Sequence, residues 1–61
     1  MNPKLKAARE MAQKTQEQVS KEVGITVRLY QSYEYDRYTP NVKTAIKIAE
    51  VLHSTVEELF K

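Results

Sequence analysis

The sequence contains no cysteine, so disulfide staples and thiolate metal sites are both excluded. It has a single histidine, His53, which defeats the zinc-finger ligand patterns. One glycine, Gly24, rules out glycine-rich phosphate loops, collagen-like repeats and flexible linkers. No apolar run is longer than two residues, so neither a membrane span nor a signal peptide is expected. What remains is a chain of 61 residues, room for one small domain. A domain of this size buries only about 60% of the surface its unfolded chain exposes, so a second copy would add useful stability. Ten basic side chains stand against eight acidic ones, net +2, which by itself only weakly favours a polyanionic partner. The class expected from these limits is a soluble, cytoplasmic, single-domain protein without metal or cofactor.

Small polar residues and the few breakers punctuate the chain at short intervals. Asn2 and Pro3 read as an N-cap followed by proline at the first helical position, where a missing N–H costs nothing. Leu5, Ala8, Met11 and Ala12 recur at helical spacing, giving a first helix to about Gln13. Thr15 and Gln18 form a capping box, so a second helix starts at Gln16, carries Val19 and Val23 on one face, and ends at Gly24. Thr26 caps a third helix from Val27, with Tyr30, Tyr33 and Glu34 inward. Residues 36–40 form a loop closed by Pro40. Asn41 caps a fourth helix in which Val42, Ala45, Ile46, Ala49 and Leu52 repeat with helical period, and Ile48 and Val51 widen the apolar face. His53 and Ser54 end it. Thr55 and Glu58 supply a second capping box for a terminal helix carrying Val56, Leu59 and Phe60. No stretch alternates long enough for a strand. The expected fold is all-α, five short helices in one domain spanning residues 1–61.

The informative segment is residues 16–35: a helix, a tight turn at Gly24, Ile25 and Thr26, and a second helix. A turn this short makes the helices cross steeply, the helix-turn-helix arrangement. Here the chain resembles the Cro/repressor-type (XRE-family) helix-turn-helix domains, from Leu5 to Phe60. T-Q-E-Q-V-S-K-E-V-G-I-T (residues 15–26) is similar to the family's second helix and turn, and R-L-Y-Q-S-Y-E (residues 28–34) to its recognition helix. Pro40, A-I-K-I-A-E-V-L and T-V-E-E-L-F resemble the elements that follow. The chain departs from the family pattern at Gln13 and Lys14, where glycine and leucine are usual, and at Ser20, where a small alanine is common. Asp36 and His53 stand where helix-ending glycines are usual. These departures bear on loop shape and leave the lambda-repressor-like fold expected.

The resemblance implies double-stranded DNA as partner and the third helix as the reader. Opposite its tyrosine face lie Val27, Arg28, Gln31 and Ser32, with Tyr35 farther along. An arginine pairs bidentately with guanine, a glutamine with adenine, and valine touches a thymine methyl. The first four are therefore the base-contact candidates. Gln16, at the start of the second helix, is implied as a phosphate contact, with Thr26, Tyr35, Arg37, Tyr38, Asn41 and Lys43 around the reading helix. Arg9 and Glu34 occupy the positions that family members join by a structural ion pair. Residues 44–61 carry net −1 and residues 1–43 carry +3, so positive potential falls on the proposed DNA side.

Blander roles compete for several of these residues. Tyr30 and Tyr33 have the chemistry of stacking platforms, but their spacing on an inward face assigns them to the core. His53 and Glu57 have the spacing of a metal-ligand pair, yet the helix breaks between them. Leu29 stands where a small or polar residue is expected, and packing under a neighbouring loop is one role open to it. The expected function is a sequence-specific transcriptional regulator, a repressor binding a two-fold operator as a homodimer. The dimer contact implied by resemblance surrounds His53 to Glu58. An antitoxin-like module that masks a protein partner is the alternative, since one fold serves both. An enzyme is not expected: no nucleophile–base pair, carboxylate dyad or metal cluster can be assembled.

Overall fold

A computed structural model describes all residues, 1–61. Five helices and no strand are present: α1 (Pro3–Met11), α2 (Gln16–Val23), α3 (Val27–Glu34), α4 (Val42–Val51) and α5 (Val56–Phe60). Each is shorter than the roughly 12–15 residues at which an isolated helix becomes marginally stable in water. Their ends and their packing must therefore hold them. At the N-termini, Asn2, Thr15, Thr26, Asn41 and Thr55 all accept a hydrogen bond from the backbone N–H three residues on. Such a cap contributes about 1 kcal/mol. At Thr15 the box is complete, because Gln18 also accepts from the Thr15 N–H at 2.8 Å.

The C-termini of the first four helices share one closure. After each, a residue at positive φ reverses the chain: Gln13 (57°), Gly24 (89°), Asp36 (60°) and His53 (55°). The next N–H then bonds back five residues, Lys14 to Arg9, Ile25 to Ser20, Arg37 to Ser32 and Ser54 to Ala49. This is the Schellman arrangement, and it favours glycine at the reversing residue. Only one of the four is glycine. α1 consequently stops two residues short of Gln13, which serves the reversal instead of the helix.

Leu5, Val19, Val23, Tyr30, Tyr33, Ile48, Ala49, Leu52 and Leu59 form the core. Three apolar residues counted inward by spacing lie outside it. Ile46 is 46% and Val42 74% exposed, because the buried stripe of α4 is centred on Ala45, Ile48, Ala49 and Leu52. On α1, Leu5 is buried with Ala8 and Ala12 against the core, whereas Met11 points away at 85% exposure. α2 packs on α3 and α4, and α1 on α5 and α3. Asn2 ties three of these together: its Oδ1 accepts from Leu5 N–H, its Nδ2 donates to the Leu59 carbonyl at 2.7 Å, and its N–H donates to the Glu34 carbonyl at 2.7 Å. No helix is long and apolar enough to cross a membrane.

Candidate nucleic-acid interface

The placement of α3 follows from what it buries. Tyr30 is fully buried, Tyr33 is 6% and Glu34 2% exposed, so this face is the helix's anchor to the core. Gly24 lets the backbone reverse with no side-chain penalty, and the turn to Thr26 sets α3 across α2. On the face opposite the tyrosines Arg28 is exposed, and Val27 and Gln31 are half-buried.

Glu34 is the electrostatic hinge of the arrangement. Burial by itself pushes its carboxyl up, but hydrogen bonds from Arg9 and Gln16 outweigh that and hold it below the usual carboxylate range. Arg9 Nε donates to Glu34 Oε2 at 2.7 Å, and the same guanidinium donates to the Lys14 carbonyl at 3.0 Å. α1 is thereby bound to α3 and to the α1–α2 turn at once. Arg9 is raised in turn, chiefly by its bond to Glu34. Burial drives the Tyr30 phenol well above its ordinary value. Its hydroxyl lies in the field of the Glu34 carboxylate but has no well-formed hydrogen bond to any group.

On the open side, α3 and the following loop enclose a shallow groove of about 640 Å³ lined by Thr26, Arg28, Leu29, Gln31, Ser32, Tyr35, Arg37 and Tyr38. It gathers two guanidinium groups, two phenols, an amide and hydroxyls, and no carboxylate lines it. Asp36, beside it in sequence, faces the amino group of Met1 at 3.2 Å. A site with this inventory offers donors and flat apolar surface to a polyanion bearing stacked bases.

The residues singled out by sequence are only partly gathered there. Arg28, Arg37 and Thr26 are exposed in the groove, as are Tyr35 and Tyr38 at 48% and 68% exposure. Gln31 is half-buried. Ser32 is different: it is only 9% exposed and its hydroxyl donates to the Leu29 carbonyl, so it sits in the groove floor with its proton engaged. Val27 lies in a separate depression with Gln18, Lys21 and Ile25. Gln16 lines a third, beside Arg9, Lys14 and Glu34. Asn41 is exposed, but its side-chain oxygen caps α4 through the Thr44 N–H at 2.8 Å. Lys43 is exposed outside the groove. Leu29, 39% exposed, lines the groove without having been assigned to it. Its sequence signal was only its oddity, an aliphatic side chain outside the helix's inward stripe.

Comparison with known proteins agrees with the helix-turn-helix fold. The helix-turn-helix family pattern matches residues 5–59. The chain is 33% identical over 60 residues to an uncharacterized HTH-type transcriptional regulator of Archaeoglobus fulgidus, covering 98% of this chain and 84% of that protein. It is similarly 33% identical over 60 residues to an uncharacterized HTH-type transcriptional regulator of Methanocaldococcus jannaschii, covering 98% of this chain and 91% of the other. Over 51 residues it is 35% identical to the cryptic phage CTXphi transcriptional repressor RstR of Vibrio cholerae, covering 84% of this chain but 46% of that repressor. No solved structure is a significant match. With the five-helix fold and these relatives in agreement, the chain belongs to the XRE-type helix-turn-helix family of DNA-binding transcription regulators.

Proposed function

We propose that this chain is a sequence-specific repressor that binds a two-fold symmetric operator in double-stranded DNA as a homodimer, a binding protein and not an enzyme. The observation that carries the reading is the carboxylate-free groove on α3, with Arg28, Arg37, Gln31 and Tyr38 around it. Arg28, exposed near the N-terminus of α3, takes guanine through O6 and N7, a contact that discriminates by about 1–3 kcal/mol. Gln31 takes adenine and Val27 a thymine methyl. Ser32, its proton directed to the Leu29 carbonyl, accepts from a base or packs beneath one. Gln16, Thr26, Tyr35, Arg37, Tyr38, Asn41 and Lys43 hold phosphates on either side. Repression is supported by a relative whose name describes a phage repressor.

Dimerisation is supported by size. The Cα extents are 23 × 21 × 21 Å, smaller than the roughly 34 Å that separates successive major-groove faces. One copy therefore reaches one half-site only. Selection of bound sequences from a random duplex pool tests the proposal. Winners with two-fold symmetry and half-sites about one turn apart are expected, whereas failure to bind any duplex at low salt sinks it.

A second reading draws on the exposed aliphatic pair Val42 and Ile46, one turn apart on α4. This surface favours a protein partner, as in an antitoxin that masks another chain. Affinity that is insensitive to salt would support it over the first reading.

A further inference from the structure

The two oxygens of Glu34, a side chain only 2% exposed, are both engaged. Oε2 accepts from Arg9 Nε at 2.7 Å, and Oε1 accepts from Gln16 Nε2 at 3.0 Å. The Gln16 oxygen accepts in turn from Gln31 Nε2 at 3.0 Å. An ionised carboxylate is acceptor-only, and its guanidinium partner keeps it ionised. Gln16 must therefore turn its nitrogen toward Glu34, which turns its oxygen toward Gln31. Gln31 must then present nitrogen to Gln16. A glutamine amide on its own is a two-fold rotor whose nitrogen and oxygen exchange freely. Here the buried carboxylate removes that freedom across two side chains.

For a partner arriving at the groove, Gln31 has left its whole carbonyl oxygen and one N–H. Adenine matches that pair, since N6 donates to the oxygen while N7 accepts from the N–H. Guanine does not. Its O6 and N7 both accept, so a two-point contact requires both N–H groups of the amide, one of which is held by Gln16, and the adenine pose would set the Gln31 oxygen against O6. We infer that Glu34 and Gln16 act as positioning residues that fix the amide polarity of Gln31, so that it accepts adenine and rejects guanine at one base pair. The inference rests on α3 being the base-reading helix. It gives Gln16 a role that contact with a phosphate does not include.

The test uses the intact protein and the near-isosteric variant Gln16→Met, which cannot relay the polarity. The relevant base pair is the one whose preference Gln31→Ala abolishes. Wild-type protein should prefer A·T over G·C there by roughly tenfold or more. In Gln16→Met that ratio should shrink to within about threefold while preferences at other pairs persist, and adding Gln16→Met to Gln31→Ala should change nothing further at that pair. A uniform loss of affinity on all sequences overturns the inference and leaves Gln16 a phosphate contact. A second measurement needs no DNA: the side-chain amide NMR signals of Gln31 should move toward those of a free glutamine in Gln16→Met. Unchanged signals refute the relay itself. If those signals move but the wild-type protein selects no sequence, the base-reading assignment is what has failed, and the inference with it.

Discussion

Three side chains sit at backbone angles that suit glycine: Gln13, Asp36 and His53, at φ between 55° and 60°. A left-handed conformation costs a residue with a Cβ about 1–2 kcal/mol, while glycine costs somewhat more entropy on folding. Gln13→Gly and His53→Gly should thus each stabilise by about 0.5–1 kcal/mol, seen as a rise of several degrees in the melting temperature. Asp36→Gly should gain less, because Asp36 also faces the Met1 amine at 3.2 Å. Gly24→Ala is the converse. A Cβ there would meet nothing within 4 Å, so its expected loss of about 1–2 kcal/mol is conformational alone. A loss well beyond that in thermal denaturation would mean steric conflict. Tyr30→Phe removes a buried hydroxyl that faces Glu34 without a well-formed hydrogen bond, so its melting temperature should fall far less than that of Arg9→Ala.

Between elements, the Arg9–Glu34 pair has the largest expected effect, since removing one partner of a buried pair costs about 3–5 kcal/mol. A domain of this length has only about 3–9 kcal/mol in total, so Arg9→Ala should lie at the edge of folding, measurable by urea titration. Acid weakens the same pair. Glu34 titrates below its unfolded value near 4.5, so its contribution is complete above that pH and is lost as pH falls through the folded value. Melting temperature should accordingly drop below about pH 4.5. Glu34→Gln, less stable throughout, should show a shallower drop. Much of this level was legible in sequence, because caps and breakers act over three or four residues: Thr15 with Gln18, Asn2 with Pro3, and Gly24 were all readable. Contacts across helices were not readable from spacing, and the Arg9–Glu34 pair was reached only through the family resemblance. The Gln16–Gln31 bond depends on how α2 crosses α3, and the burial of Ser32 depends on what packs around α3. α4 offered more apolar positions than one stripe can bury, and neighbours from other helices chose Ile48 over Ile46.

Across the whole molecule, affinity and specificity should separate by position. Arg28→Ala should relax preference at one base pair by about 1–3 kcal/mol. Lys43→Ala should weaken every duplex alike and lower the slope of log affinity against log salt by about one. Titrations at two salt concentrations distinguish them, and a sequence-dependent effect of Lys43→Ala would contradict its phosphate role. The Asn2 bond to the Leu59 carbonyl, with Lys4 Nζ at 3.5 Å from the Lys61 carbonyl, brings residues near position 1 and position 61 together. That meeting point also touches Tyr38 and Thr39, on the loop beside the α3 groove. In the proposed binding mode, anything tethered at residue 1 or residue 61 emerges within reach of the same DNA flank. A fluorophore or crosslinker attached at residue 1 or residue 61 would chart that flank, while a bulky fusion at either would stand in its way.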